Sequence, residues 1–148
     1  MSHASSRDLL PILVMLESMG KIEIYTQHLT TAIDFFQKDD QMQFNASLLL
    51  LINIGEQANR LSEEIKSRYS HIPFQQIRGI RNRVAHDYTG IDYELVFDIV
   101  NKDLTILKPR ISDLLRAEIA SGNFDIQELK AAQDSQFYKH IDFKSFAP

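Results

Sequence analysis

The run Leu48-Leu49-Leu50-Leu51-Ile52 decides the fold. It is followed at helical spacing by Ile54, Ala58, Leu61 and Ile65. Five successive aliphatic residues leave a helix no polar side, and a helix that is apolar all round is buried all round. The residues after it narrow to a single stripe at steps of three and four. This pattern predicts one long helix over residues 41–68, central in a helical bundle. In a chain of 148 residues, one face of such a helix is expected to be covered by a second chain.

Outward from this run the period stays helical. Leu9, Leu10, Leu13 and Leu16 open a first helix towards His28. Ser5 or Ser6 is its expected cap, and Pro11 falls near the first turn, where a missing N–H is tolerated. Thr30-Thr31 start a short helix carrying Ile33, Phe35 and Phe36, and another helix is expected over residues 74–87. Asp92 is a plausible N-cap, with Glu94 favourably placed in the first turn that follows. The last long helix then carries Tyr93, Val96, Phe97, Val100, Leu104, Leu107, Ile111 and Leu114. Pro109 is expected to kink it, because its ring clashes with the carbonyl four residues back. Ser121-Gly122-Asn123 ends it. Five glycines and four prolines punctuate the chain, and no Asn-Gly hairpin signal occurs. The fold class is therefore all-α, with a helical-bundle domain over residues 1–120 and an extension over 121–148. That extension offers one more short helix and an aromatic end, Phe137, Tyr138, Phe143 and Phe146, whose rings either dock on the body or serve a partner.

Composition removes whole classes of chemistry. There is no cysteine, so disulfides, thiolate nucleophiles and sulfur-bound zinc are excluded. His3, His28, His71 and His140 show no metal-ligand spacing, and no Gly-rich phosphate loop, His-Glu-x-x-His or Gly-x-Ser-x-Gly is present. No metal and no cofactor are expected. The longest apolar run, Leu48 to Ile52, is far short of the roughly 20 residues that span a bilayer. With a polar N-terminus lacking the apolar core of a signal peptide, the expectation is a cytoplasmic protein away from membranes.

The formal charge of −4 argues against a nucleic-acid partner until it is divided by position. Between Ile65 and His86 no acidic residue occurs, whereas Lys66, Arg68, Arg78, Arg81 and Arg83 do. A basic window in an acidic chain is an electrostatic footprint for phosphate, so these cations are RNA-binding candidates. On an ideal wheel Ile77, Ile80, Val84 and Tyr88 share one arc, the core side, and His86 falls opposite Ile77. Asn82 lies one turn before His86 on the same side. Arg81 stands about 140° from His86 on a wheel of roughly 100° per residue. The two converge only if the arginine reaches round or a second copy of the helix supplies the other group.

Arginine with histidine can cut RNA without a metal. The RNA supplies its own 2′-OH nucleophile, histidine titrates near neutrality and moves the proton, and arginine stabilises charge developing on phosphate. Asn82 can orient either group. Glu56, Glu63 and Glu64 read as solvating carboxylates on an amphipathic helix.

Arg81-Asn82-Arg83-Val84-Ala85-His86 resembles the Arg-x4-6-His motif of HEPN domains. Extended to Arg-x4-His-x-Tyr by Asp87-Tyr88, it resembles the HepT-like toxins of HEPN/MNT toxin–antitoxin pairs. Ile54-Gly55-Glu56-Gln57-Ala58 before it and Ile91-Asp92-Tyr93-Glu94 after it agree, and the resemblance covers roughly Leu9 to Leu115. It implies an up-and-down bundle of four or five helices that homodimerises, with two motif copies lining one interface cleft. It also implies a type VII-like toxin acting as a metal-independent endoribonuclease, with Arg81 and His86 catalytic and Asn82 supporting. The implied partner is a minimal nucleotidyltransferase antitoxin that transfers AMP onto Tyr88. Family members commonly carry Ala where this chain has Gln57, a change expected to touch helix packing or the cleft wall. The alternative from another class is a non-catalytic helical module that presents substrate or nucleotide to a partner nucleotidyltransferase.

Overall fold

Among the described residues of the computed structural model, 7–84 and 90–146, the regular elements are all helical. The α-helices are α1 (Leu9–Tyr25), α2 (Ala32–Gln37), α3 (Met42–Arg60), α4 (Glu63–Arg68), α5 (Phe74–Arg78), α6 (Ile80–Val84), α7 (Tyr93–Asp98), α8 (Leu104–Ala120) and α9 (Ile126–Gln133). Packing of α1 along α3 forms the centre. Helix α8 lies against α1, α5 and α6 lean on α3, and α2 packs on α7. Leu9, Ile12, Leu13, Met15 and Leu16 of α1 meet Leu51 and Ile54 of α3 and Ile111, Leu114 and Leu115 of α8 in one core, none more than 2% exposed. No helix among the described residues is long and apolar enough to cross a membrane.

The aliphatic run is not buried on every side within one chain. Leu51 is fully buried, but Leu49 is 69% exposed and Met42 67%. Leu48, Leu50 and Ile52 are half-buried. Met42, Leu49 and Ile52 follow one another at helical spacing, so α3 carries an apolar stripe on the side away from the core.

The single helix expected over residues 41–68 is two helices. Leu61 is extended (φ −64°, ψ 144°), and Ser62 caps α4 by accepting from Ile65 N. A distant residue holds the break: Asp8, fully buried, accepts from Ser62 N at 2.8 Å and from Ser62 Oγ at 2.5 Å. The two hydrogen bonds to a buried carboxylate, together with the Ser62 cap on Ile65 N, offset the helical bonds the chain gives up there. The apolar stripe survives, since Leu61 and Ile65 remain buried. At the other end, Asp39, Asp40 and Gln41 all take positive φ between α2 and α3, a backbone choice no hydrophobic pattern announces.

The helix expected over 74–87 is likewise divided, at Gly79. Hydrogen bonds from Gly79 N to Gln75 O and from Arg83 N to Gly79 O bridge the division. Ile77, Ile80 and Val84 accordingly stay on the core side. The first helix stops at Tyr25, short of His28, and its expected caps Ser5 and Ser6 lie outside the described residues. Thr31 and Asp92 cap α2 and α7 as expected. Pro109 sits inside α8 without ending it, and the departure from α geometry is an earlier π-helical turn, Ile99–Asp103. At Gly122 (φ 75°) the end of α8 closes with Gly122 N donating to Ile119 O and Asn123 N to Glu118 O, a Schellman motif.

The extension docks on the bundle. Phe124, Leu129, Phe143 and Phe146 are buried, and the Arg116 guanidinium lies 4.9 Å from the Phe146 ring centre. Buried Glu17 of α1 accepts from His140 N at 2.7 Å, with His140 Nδ1 2.6 Å from its other oxygen. Phe137 stays out, at 71% exposure.

Candidate active site

Gly55 builds the site. A Cβ placed there would stand 2.8 Å from Ile77 O, so only a glycine lets the α5 backbone lie this close to α3. That approach brings Glu56, Asn59 and Arg60 of α3 beside Arg78, Arg81 and Asn82. Together they line an open groove of about 420 Å³. Its floor reaches Ile52, so the groove continues the exposed apolar stripe of α3.

Arg81 is 71% exposed, and its guanidinium comes within 4.0 Å of the Glu56 carboxylate, itself 55% exposed. At that distance in high dielectric the pair is worth ~1 kcal/mol or less. The arginine is held towards the groove without being neutralised there, and a doubly hydrogen-bonded phosphate would displace the carboxylate. Asn82 is exposed on the same wall. His86 and Tyr88 lie outside the described residues.

The basic window does not form one patch. Arg78 lines the groove with Arg81 and also a neighbouring groove that contains Lys66. Arg83 turns another way, 3.7 Å from Asp103 of the π-helical turn, where it lines a third groove with Arg110. Arg68 is committed to structure: it donates to Glu118, which is 1% exposed, and to Glu64 at 2.7 Å. The Tyr69 hydroxyl donates to Glu118 at 2.8 Å. The Glu118 hydrogen bond raises the Arg68 pKa, so the guanidinium is locked in its charged form. Burial first, then the bond to Glu118, push the Tyr69 phenol up to about 12. Arg68 therefore has a sufficient structural explanation without RNA.

Glu56 is the residue the sequence reading undervalued, since it faces Arg81 and does not merely solvate its helix. Its placement directly after Gly55, one turn before Asn59 and Arg60, was the available signal. Arg7 lines the groove of Lys66, where the hydrogen bonds of its neighbour Asp8 to Ser62 bring it. Gln57 is 7% exposed and donates to Asn53 Oδ1 at 3.1 Å, so its side chain is engaged in helix packing. Among the described residues no group of three or more His, Asp or Glu side chains is arranged to hold a metal ion.

A family model described as "Ribonuclease HepT-like" matches residues 15–114. "Putative RNase MJ0127" of Methanocaldococcus jannaschii is 35% identical over 86 residues, 58% of this chain and 69% of that one. "Putative RNase TTE0752" of Caldanaerobacter subterraneus is 28% identical over 65 residues, 44% of this chain and 58% of that one. "Probable ribonuclease HepT" of Thermococcus cleftensis is 26% identical over 98 residues, 66% of this chain and 86% of that one. Against several of these curated relatives the chain spans little more than half of their length, 54% and 52% for two further M. jannaschii proteins. No solved structure matches.

Proposed function

The chain belongs to the HepT-like ribonuclease family, and on that premise we propose that it is a metal-independent endoribonuclease working at the Arg81 groove. The observation that carries the reading is the groove itself. An exposed, weakly paired Arg81 stands beside Asn82 in an open cleft at the end of an uncovered apolar stripe.

RNA bound with a phosphate against Arg81 presents its own nucleophile. The ribose 2′-oxygen attacks the adjacent phosphorus while the bond to the next nucleotide's 5′-oxygen breaks. One imidazole at position 86 takes the 2′ proton, and a second, from another copy of the chain, gives one to the departing 5′-oxygen. Arg81 binds the non-bridging oxygens as their charge grows, and Asn82 orients them. The products are a 2′,3′-cyclic phosphate and a 5′-hydroxyl. The stripe through Met42, Leu49 and Ile52 supports a homodimer with both motif copies at one cleft, since an apolar surface adjoining a polar groove marks an interaction site.

In this reading the chain is a cytoplasmic toxin of a HEPN/MNT pair, and a cognate minimal nucleotidyltransferase neutralises it by placing AMP on Tyr88. The added phosphate would repel RNA from the cleft.

The test compares wild type with His86→Ala and Arg81→Ala on bulk RNA, with and without EDTA. Wild type should cleave in EDTA and leave cyclic-phosphate and 5′-hydroxyl ends. Each variant, helical by circular dichroism, should lose at least about a hundredfold in rate. Cleavage that requires magnesium, or that survives His86→Ala, would refute the mechanism. RNA binding without cleavage would move the chain to the binding-module alternative.

A further inference from the structure

We propose that a basic trough running from Arg81 past Arg78 and Arg60 to Arg7 and Lys66 is a track for the sugar–phosphate backbone of single-stranded RNA. The inference rests on the endoribonuclease reading for its biological use and on the following observations for its existence.

The groove at Arg81 and a second one of about 630 Å³ share Asn59, Arg60 and Arg78, so they form one continuous depression. Five cations line it, against two carboxylates, Glu56 and Glu63. This surplus sits on a chain whose formal charge is −4. Neither carboxylate cancels its neighbour firmly. Glu63 is 91% exposed and 3.6 Å from Lys66, and Glu56 only just reaches Arg81. Arg7, Arg60 and Arg78 are exposed and enter no ion pair among the described residues. Elsewhere Arg68, Arg83, Lys108 and Arg116 each lie within 3.7 Å of a carboxylate.

Fold geometry explains the convergence. Arg60, Lys66 and Arg78 close the last turns of α3, α4 and α5, where a cation offsets the negative helix end. That role leaves the heads of Arg60 and Arg78 in solvent. It does not account for Arg7, which precedes α1. Arg7 reaches the trough because its neighbour Asp8 is bound to Ser62 at the α3–α4 junction.

The lining chemistry sets the occupant. Guanidinium, ammonium, amide and hydroxyl groups dominate, and among the described residues no aromatic ring lines either groove. Beyond the Arg81 end, phosphates would find cations and bases no aromatic partner among the described residues. The track holds the backbone with little preference for sequence and carries the strand away from the phosphate at Arg81.

The test uses the full chain carrying His86→Ala, so that bound RNA stays intact, and a fluorescein-labelled twelve-nucleotide oligouridylate read by anisotropy across a salt series. For a single strand, log affinity falls with log salt by about 0.7 per phosphate neutralised. Adding Arg7→Gln, Arg60→Gln and Lys66→Gln together should flatten that slope by about two units. A triple control, Lys38→Gln, Lys130→Gln and Lys144→Gln, removes the same charge away from the trough and should leave the slope unchanged. The charge-keeping set Arg7→Lys, Arg60→Lys and Lys66→Arg should retain it. Equal slopes in the trough and control triples would overturn the track. A poly-glutamate of matched length that binds as tightly and loses as much in the trough triple would overturn it in favour of an acidic protein partner. Because the readout is binding by an uncleaving chain, the track can fail while wild type cleaves RNA, or hold while it does not.

Discussion

Gly55→Ala sets two physical effects against each other, and the structure decides their order. Taken alone, replacing a glycine within α3 by alanine should stabilise the helix by roughly 1 kcal/mol. The new methyl, however, would stand 2.8 Å from Ile77 O, a backbone atom that cannot rotate away. Helix α5 must retreat by roughly half an ångström, which forfeits about a quarter of each contact well across the interface. Phe74, Ile77 and Ile80 are each 6% exposed or less and pack there. With ~2 kcal/mol per buried side chain, the loss is about 1.5 kcal/mol, within the usual 1–3 kcal/mol of overpacking. The expected net is a destabilisation on the order of 0.5–1 kcal/mol, or about 1–4 °C in Tm for a chain of this size. The shift also moves Arg78 and Arg81 relative to Glu56, so turnover on RNA should fall by roughly tenfold. Thermal unfolding followed by circular dichroism, alongside single-turnover cleavage, measures both. A rise in Tm with unchanged cleavage would show that propensity wins and that the close approach does not shape the groove.

Two further outcomes follow from the same structure and the proposed role. Tyr69 keeps its proton up to about pH 12 in the folded chain, whereas an unfolded tyrosine releases it near its ordinary value of 10. The folded state then binds the extra proton, so stability should fall as pH rises from 10 towards 12. Tyr69→Phe should flatten that fall in denaturant titrations at each pH, and an unaltered slope would contradict the burial of the phenol against Glu118. Tyr88→Phe should keep ribonuclease activity but escape the cognate nucleotidyltransferase, as intact-mass spectrometry would register. AMP found on the Tyr88→Phe chain would reject that residue as the acceptor.

The periodic elements were legible because hydrophobic burial writes a local period. The stripe through Tyr93, Val96, Val100 and Leu104 and the caps Thr31 and Asp92 needed only neighbours in sequence. The breaks at Leu61–Ser62 and Gly79 were not, since the apolar stripe runs through both without interruption. What stops α3 is the Asp8 carboxylate, more than fifty residues earlier in the chain. Similarly, the charges of the basic window were plain in sequence but their commitments were not. Arg68 looked equivalent to Arg78 until buried Glu118 claimed it. Glu56 looked like a solvent carboxylate until Gly55 allowed α5 to approach.

Composition and spacing by themselves determined the all-helical class and marked the candidate residues, while the motif around Arg81 carried the likeness to the family. Those follow from side-chain type and from intervals of three and four, which survive without coordinates. Only the tertiary structure decided which cations face one groove and which are tied to carboxylates. It also showed Arg60 and Arg7 beside Arg78, and one side of α3 left uncovered in a single chain. The physical reason is that electrostatic partnership depends on distance in space. A distance of a few ångströms between residues fifty positions apart is set by packing, which no local period encodes.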